Sequence, residues 1–241
     1  MSDSTGEAGR MMAARWTWTG DLLGRIGIVA LFTLGATRKS QAIYADITSW
    51  PASASNFDVL QLLSEIANLA FLILIVATTI VRLKPLRSAD GIEPRFMALA
   101  GTFAVGSLIL IPPTIGLPPA LKVLALCLTL TGFTLSAYVL YWLGRSFSIM
   151  AEARRLVTAG PYAVVRHPLY IVEEIAVIGI LLLNLSLPAV LLVVFQWTIQ
   201  MRRIHHEERV LGQTLPEYAD YAARTPKLIP RLKQLPGRTP A

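Results

Sequence analysis

The stretch LYIVEEIAVIGILLLNLSLPAVLLVVFQWTIQMRR, Leu169 to Arg203, decides the fold. Two apolar runs, Leu169 to Leu183 and Leu187 to Arg203, are parted only by Asn184, Leu185 and Ser186. They read as a close helical hairpin. Runs of this kind approach the roughly 17 to 25 residues that about 30 Å of hydrocarbon requires of a helix.

Working outward, four more runs precede the hairpin: Leu22 to Thr37, Leu60 to Val81, Phe96 to Ile111 and Pro119 to Leu143. Pro112, Pro113, Pro118 and Pro119 mark the turn between the third and fourth, where helices end or begin. Composition agrees. Hydrophobic residues make up 54% of the 241 and charged residues only 15%, against roughly 25% charged in a soluble domain. The expected fold is all-α, a polytopic membrane protein of about six transmembrane helices. Its expected parts are an N-terminal tail (1–19), four membrane helices (20–143) and a membrane-embedded region around the hairpin (144–241).

The net charge of +7 does not signal a nucleic-acid partner. The Arg and Lys residues fall between the apolar runs, as the positive-inside rule places them, and form no basic face interleaved with aromatics. Arg10 and Arg15, then Arg82, Lys84, Arg87 and Arg95, then Arg145, Arg154, Arg155 and Arg166 mark one side of the membrane. Both termini are therefore expected to be cytoplasmic, in a multi-pass protein of a bacterial inner membrane. Trp16 and Trp18 read as an interfacial belt, and no removed signal peptide is expected. Cys127, the sole cysteine, reads as a small packing residue in an apolar helix.

Two polar segments flank the hairpin and so meet on one membrane face. In the first, LVTAGPYAVVRHPLY (Leu156 to Tyr170), Gly160-Pro161 is a turn signal and Pro168 ends whatever precedes it. Arg166 and His167 then stand before a helix N-terminus, where free N–H groups suit a carboxylate or phosphate. An interfacial loop anchored by Arg and Tyr is the plainer alternative. In the second, Gln196, Gln200, Arg203 and Glu207 share one helical face, with Glu208 next. Amides inside an apolar helix need partners or a cavity; a hydrogen-bonded seam ending in an Arg203–Glu207 pair is the alternative. Glu173 and Glu174 lie one turn into the fifth span, about 100° apart, so one can face a cavity while the other pairs elsewhere. Arg25 sits near enough to a helix end to snorkel. Glu65 and Asn68 suggest a helix contact. His205 and His206 lack metal-ligand geometry, and no metal site is expected.

The segment LGRSFSIMAEARRLVTAGPYAVVRHPLY, Leu143 to Tyr170, together with RRIHHEERVLGQTLPEYADYAARTPKLIPRL, Arg202 to Leu232, resembles the isoprenylcysteine carboxyl methyltransferase family. The wider group includes phosphatidylethanolamine N-methyltransferases. The resemblance covers roughly the last 100 residues, and the joint presence of RHPxY and the Glu-Glu pair carries it. It implies S-adenosyl-L-methionine held in a cytoplasmic-side pocket and a lipophilic or prenylated acceptor drawn from the membrane lipids. Carried over by position, Val157, Gly160, Pro161, Tyr162, Arg166, His167, Pro168, Tyr170, Glu173 and Glu208 surround the cofactor, and Arg203, Glu207 and Glu208 serve the chemistry. In this picture Glu208 either fixes Arg203 or binds the cofactor. Val172 stands where members often have Gly, a change that would narrow the pocket. A membrane reductase using a nicotinamide cofactor, and a non-enzymatic transport or scaffold protein, are the alternatives.

Overall fold

The computed structural model describes the backbone of residues 4–50, 54–108 and 110–230, and side chains at Leu22 and from Gly24 onward. The expected roles of Arg10, Arg15, Trp16 and Trp18 and of residues 231–241 lie outside the described residues.

The elements are α1 (Ser4–Thr48), α2 (Asn56–Val81), β1 (Arg87–Ser88), α3 (Glu93–Leu108), α4 (Pro119–Leu143), β2 (Glu152–Ala153), α5 (Pro168–Leu183), α6 (Leu187–Thr214) and α7 (Tyr218–Arg224). The chain is predominantly helical. Each apolar run forms a helix, but α1 runs well past Leu22 to Thr37 at both ends, and α6 carries its charged end as far as Thr214. Two of the helices, α2 and α4, are by themselves long and apolar enough to cross a membrane.

Local chemistry sets the boundaries. Ser55 caps α2 in a reciprocal box with Asp58, each side chain accepting from the other's backbone N–H. Pro119 and Pro168 open α4 and α5, where a missing N–H costs nothing. Ser186 caps α6, its hydroxyl accepting from the Ala189 N–H. Gly144, at φ 50°, ends α4 in a conformation that disfavours a side chain.

Both ends of the bundle are tied. At one end the Thr114 and Ile115 amides both donate to the Leu185 carbonyl, joining the α3–α4 loop to the α5–α6 turn. At the other, Arg25 donates to the Ile80 and Arg82 carbonyls, occupying acceptors that the end of α2 leaves free. Arg145 donates to Val81 O, and β1 pairs antiparallel with β2 in the register Arg87–Ala153 and Ser88–Glu152. The loops rich in Arg and Lys thus gather on one face.

The core lies between α2, α4 and α5, around Phe71, Phe133, Leu140, Val177 and Ile180. Helices α4 and α5 approach so closely that a Cβ on Gly132 would stand 2.3 Å from Ala176 N, and one on Gly179 2.3 Å from Thr129 Oγ1. The hairpin itself differs from expectation. Its turn is where the sequence placed it, yet α5 packs chiefly on α4 and α6 chiefly on α3. The small residues draw α5 to α4, and the polar stripe of α6 lines an internal cavity. Cys127 is exposed rather than packed.

Candidate functional site

Between the splayed helices lies a cavity of about 710 Å³. One end is polar and includes Tyr162, Arg166, His167, Tyr170, Arg203 and Glu207. The rest is mostly apolar, walled by Phe32, Phe71, Val105, Phe133, Val177 and Ile180, with Arg38, Lys39 and Asn68 also among the lining residues. Helices α1 and α3 both line it, although α1 packs chiefly on α2 and α3 on α6.

The two polar segments meet at one carboxylate. Glu208 Oε1 accepts from Arg166 Nε at 2.9 Å and lies 3.2 Å from His167 Nε2. Its Oε2 is 2.8 Å from Lys227 Nζ. Partial burial opposes ionisation of Glu208, but the hydrogen bonds from His167, Lys227 and Arg166 outweigh it and hold the carboxyl at about 2. Arg166 also donates to the Ala222 and Thr225 carbonyls at 2.8 and 2.9 Å. One guanidinium therefore joins the loop before α5, the end of α6 and the segment after α7.

Backbone pairing completes the closure. The Arg166 and His167 amides donate to the Pro226 and Lys227 carbonyls. Tyr221 donates to the Tyr162 carbonyl at 2.7 Å. Burial pushes the Tyr221 hydroxyl up to about 12 against the pull of Arg166, and burial raises Tyr162 well above its ordinary value.

Inside the cavity, the Tyr170 hydroxyl donates to Glu207. The His167 ring stacks on Tyr170 with centroids 5.7 Å apart, and the Arg203 guanidinium lies 5.3 Å from the Tyr170 ring centre. Arg203 donates to Gln200 Oε1 and to the Ile149 carbonyl. Its Nε is buried without a hydrogen-bond partner, as is Gln196 Oε1. Unmet polar atoms beside a cavity are where a ligand's groups are needed.

Of the residues expected around a cofactor, Val157, Tyr162, Arg166, His167, Tyr170 and Glu173 line the cavity, as do Arg203 and Glu207. Gly160, Pro161, Pro168 and Glu208 are not among its lining residues. Gly160, at φ 60°, backs onto Trp142 so closely that a Cβ would sit 2.5 Å from its ring. Pro161 belongs to the 3₁₀ turn Gly160–Ala163, and Pro168 opens α5. Glu208 holds Arg166 and His167 rather than Arg203, because both its oxygens are engaged there. Glu207 pairs with Tyr170 rather than Arg203. Val172 packs against the apolar core and is not among the residues that line the cavity. Of the adjacent pair, Glu173 faces the cavity and Glu174 accepts from Gln196 at 2.9 Å. Sequence reasoning assigned no part in the site to Lys227 or Tyr221, nor to Arg154 and Arg155, which also line the cavity. The positions of Lys227 and Tyr221 depend on how the terminal segment folds back.

Known proteins resemble part of the chain. Over 86 residues the chain is 38% identical to a cobalt-zinc-cadmium resistance protein of Cupriavidus metallidurans, covering 35% of this chain and 39% of that one. Over 83 residues it is 36% identical to a nickel-cobalt-cadmium resistance protein of Alcaligenes xylosoxydans xylosoxydans, covering 34% and 38%. Over 95 residues it is 36% identical to protein-S-isoprenylcysteine O-methyltransferase B of Arabidopsis thaliana, covering 36% and 48%. The matches thus span less than half the length of these relatives. Among the described residues no three His, Cys, Asp or Glu side chains gather as metal ligands. Residues 123–213, from early α4 to the end of α6, match the isoprenylcysteine carboxyl methyltransferase family model.

Proposed function

We propose that this protein is an integral membrane methyltransferase that uses S-adenosyl-L-methionine to methylate a lipid-like or prenylated acceptor at a carboxylate, amine or thiol. One observation carries the reading: the Arg166–His167 and Glu207–Glu208 segments converge at the polar end of a cavity whose other walls are mostly apolar. Such a chamber suits a polar donor at one end and a hydrocarbon body at the other. Six membrane crossings by α1 to α6, with the Arg-rich loops and both termini on the cytoplasmic side of a bacterial inner membrane, complete the proposal. The exposed apolar stripe of α6, including Leu187, Leu191, Val194 and Phe195, is what a lipid-facing helix presents.

The residues present fit the cofactor. Arg203 Nε and Gln196 Oε1 are orphaned beside the cavity, and the Tyr162 side chain lines it. The bound cofactor would supply a methyl group on a positively charged sulfur, ready for in-line displacement. Catalysis then rests on alignment and exclusion of water. Glu208 locks Arg166 and His167 from behind, and Glu207 fixes Tyr170, so the polar wall is preorganised. Arg203, stacked over Tyr170, is placed to orient the acceptor at the boundary between the polar and apolar parts. The apolar body enters sideways between α1 and α3, which wall the cavity but pack chiefly on other helices.

The test is calorimetry of S-adenosylhomocysteine with the protein in lipid nanodiscs, with NADPH as competitor. Saturable binding that NADPH does not displace is the expected result. No binding, or displacement by NADPH, sinks the proposal.

A further inference from the structure

Six cations and three carboxylates line the cavity, and they are unevenly placed. Glu152, Glu173 and Glu207 all belong to the polar end, with Arg154, Arg155, Arg166 and Arg203. There Arg154 pairs with Glu152, Arg166 with Glu208, and Arg203 acts on Glu173. Arg38 and Lys39 come instead from α1, outside the stretch that the family model matches. Among the described residues neither is ion-paired with a carboxylate. Glu65 on α2 and Asp46 on α1, the acidic residues of these two helices nearest that level, do not line the cavity. Cations inside a bundle of apolar helices mark where an anion passes or rests.

Their depth follows from the ties between helices. Arg25 donates to the Ile80 and Arg82 carbonyls, which joins α1 to α2 at the Arg-rich end. Equal lengths of helix from that tie bring Arg38 level with Asn68, about 20 Å away, and both line the cavity. The level of Arg203 is fixed through Gln196 on Glu174, Ala176 on Gly132, and Phe133 on Phe71, whose ring centroids are 5.9 Å apart. Gln196 thus lies level with Phe71. Arg203 is about two turns from there toward the Arg-rich end, and Asn68 about one turn away from it. The Arg38–Lys39 pair therefore stands about 15 Å beyond Arg203. The space there is open. Gly35 on α1 and Gly106 on α3 both line the cavity, and a Cβ on either would have nothing within 4 Å.

We infer that Arg38 and Lys39, with Asn68 beside them, form a second anion-binding subsite at the far end of the cavity, which receives a carboxylate or phosphate about 15 Å from the group held at Arg203. The chamber thus takes an elongated molecule, polar at both ends and hydrocarbon between, or a chain whose far end meets the headgroup of a bilayer lipid. Both place the same anion on the same two cations. The subsite leaves the chemistry at the polar end as it is. Only the identity of the group at Arg203 as the methyl acceptor rests on the methyltransferase reading.

The experiment titrates dodecanedioate, with an anion at each end, and dodecanoate, with one, into the full chain in nanodiscs of zwitterionic phosphatidylcholine, with and without S-adenosylhomocysteine. Wild type binds dodecanedioate about tenfold more tightly than dodecanoate. Arg38→Gln combined with Lys39→Gln brings the two to within about threefold by weakening dodecanedioate alone, and affinity for S-adenosylhomocysteine stays within about threefold of wild type. Arg38→Lys combined with Lys39→Arg keeps both charges and keeps the preference. Equal binding of the two probes by wild type overturns the inference and needs no variant to read. So does a preference that survives in the folded variant lacking both cations, the result expected if they only reach toward the far membrane face. Phosphatidylglycerol added to the nanodiscs separates the two sources of the anion. Loss of dodecanedioate binding assigns the subsite to a bilayer headgroup, and undiminished binding assigns it to the far end of the bound molecule itself. A wild type that prefers dodecanedioate yet binds no S-adenosylhomocysteine rejects the methyltransferase reading and leaves the subsite standing.

Discussion

Along its α4 side, helix α5 leaves no room for a methyl group at Gly132 or Gly179, whereas along its α6 side it borders a chamber of about 710 Å³. The first interface is closed by shape. The second is held apart and bridged by side chains: Glu174 with Gln196, Tyr170 with Glu207, and Glu208 with the Arg166–His167 pair at its base. One helix thus has a rigid back and a working front. A site that must align two molecules gains from this division, because the wall that carries Tyr170 and Glu173 is anchored from behind, where no ligand reaches.

The division is open to attack, beginning at the front. Glu208→Ala leaves Arg166, His167 and Lys227 without their shared carboxylate, and stability falls by about 3 kcal/mol, measured by denaturation in detergent. At the back, Gly132→Ala forces a Cβ into the α5 backbone and costs about 2 kcal/mol by the same measurement. A null result there would mean that the seam is looser than its geometry. Acid separates the two sides without mutation. The Glu208 carboxyl is held at about 2 in the fold against 4.5 ordinarily. Its contribution is therefore present above about pH 4.5 and is lost as pH falls toward 2. Melting temperature followed across that window falls in wild type, and the fall is shallower in Glu208→Gln. Gln196→Leu removes the strut to Glu174 and costs about 1 kcal/mol, less than either base or back. Gly106, which lines the cavity on α3, has open space where a methyl group would stand, with nothing within 4 Å. Gly106→Ala leaves stability unchanged or raises it by about 0.5 kcal/mol.

The back of the site was poorly legible in the sequence, and the front was legible only by parts. Hydropathy located six helices, since an apolar run of roughly 17 to 25 residues has few alternatives to a helix of that length. It missed the reach of α1, because hydropathy marks where lipid is tolerated and not where helical hydrogen bonding stops. It also missed β1 and β2, whose two residues each are too few to display alternation. The four-three-four spacing from Gln196 to Glu207 put one face of α6 on the cavity, and Gln196, Gln200, Arg203 and Glu207 all line it. Partner choice was another matter. Helical spacing suggested that Glu207 would reach Arg203, but Tyr170, 37 residues away in sequence, takes it instead. Contacts of that kind depend on the path of the loop before α5 and of the segment after α7. Nor did spacing distinguish the hairpin's two packing partners: Gly132 and Gly179 lie on different helices, and their complementarity exists only once the helices cross.

The Pro226 and Lys227 carbonyls hold the Arg166 and His167 amides through main-chain atoms alone. Such a fastening does not read side-chain identity. Pro226 can be exchanged wherever the backbone keeps its course, whereas Lys227 also carries its ammonium to Glu208. The closure of the polar rim over the RHP motif is specified by the chain's contour and by that one side chain.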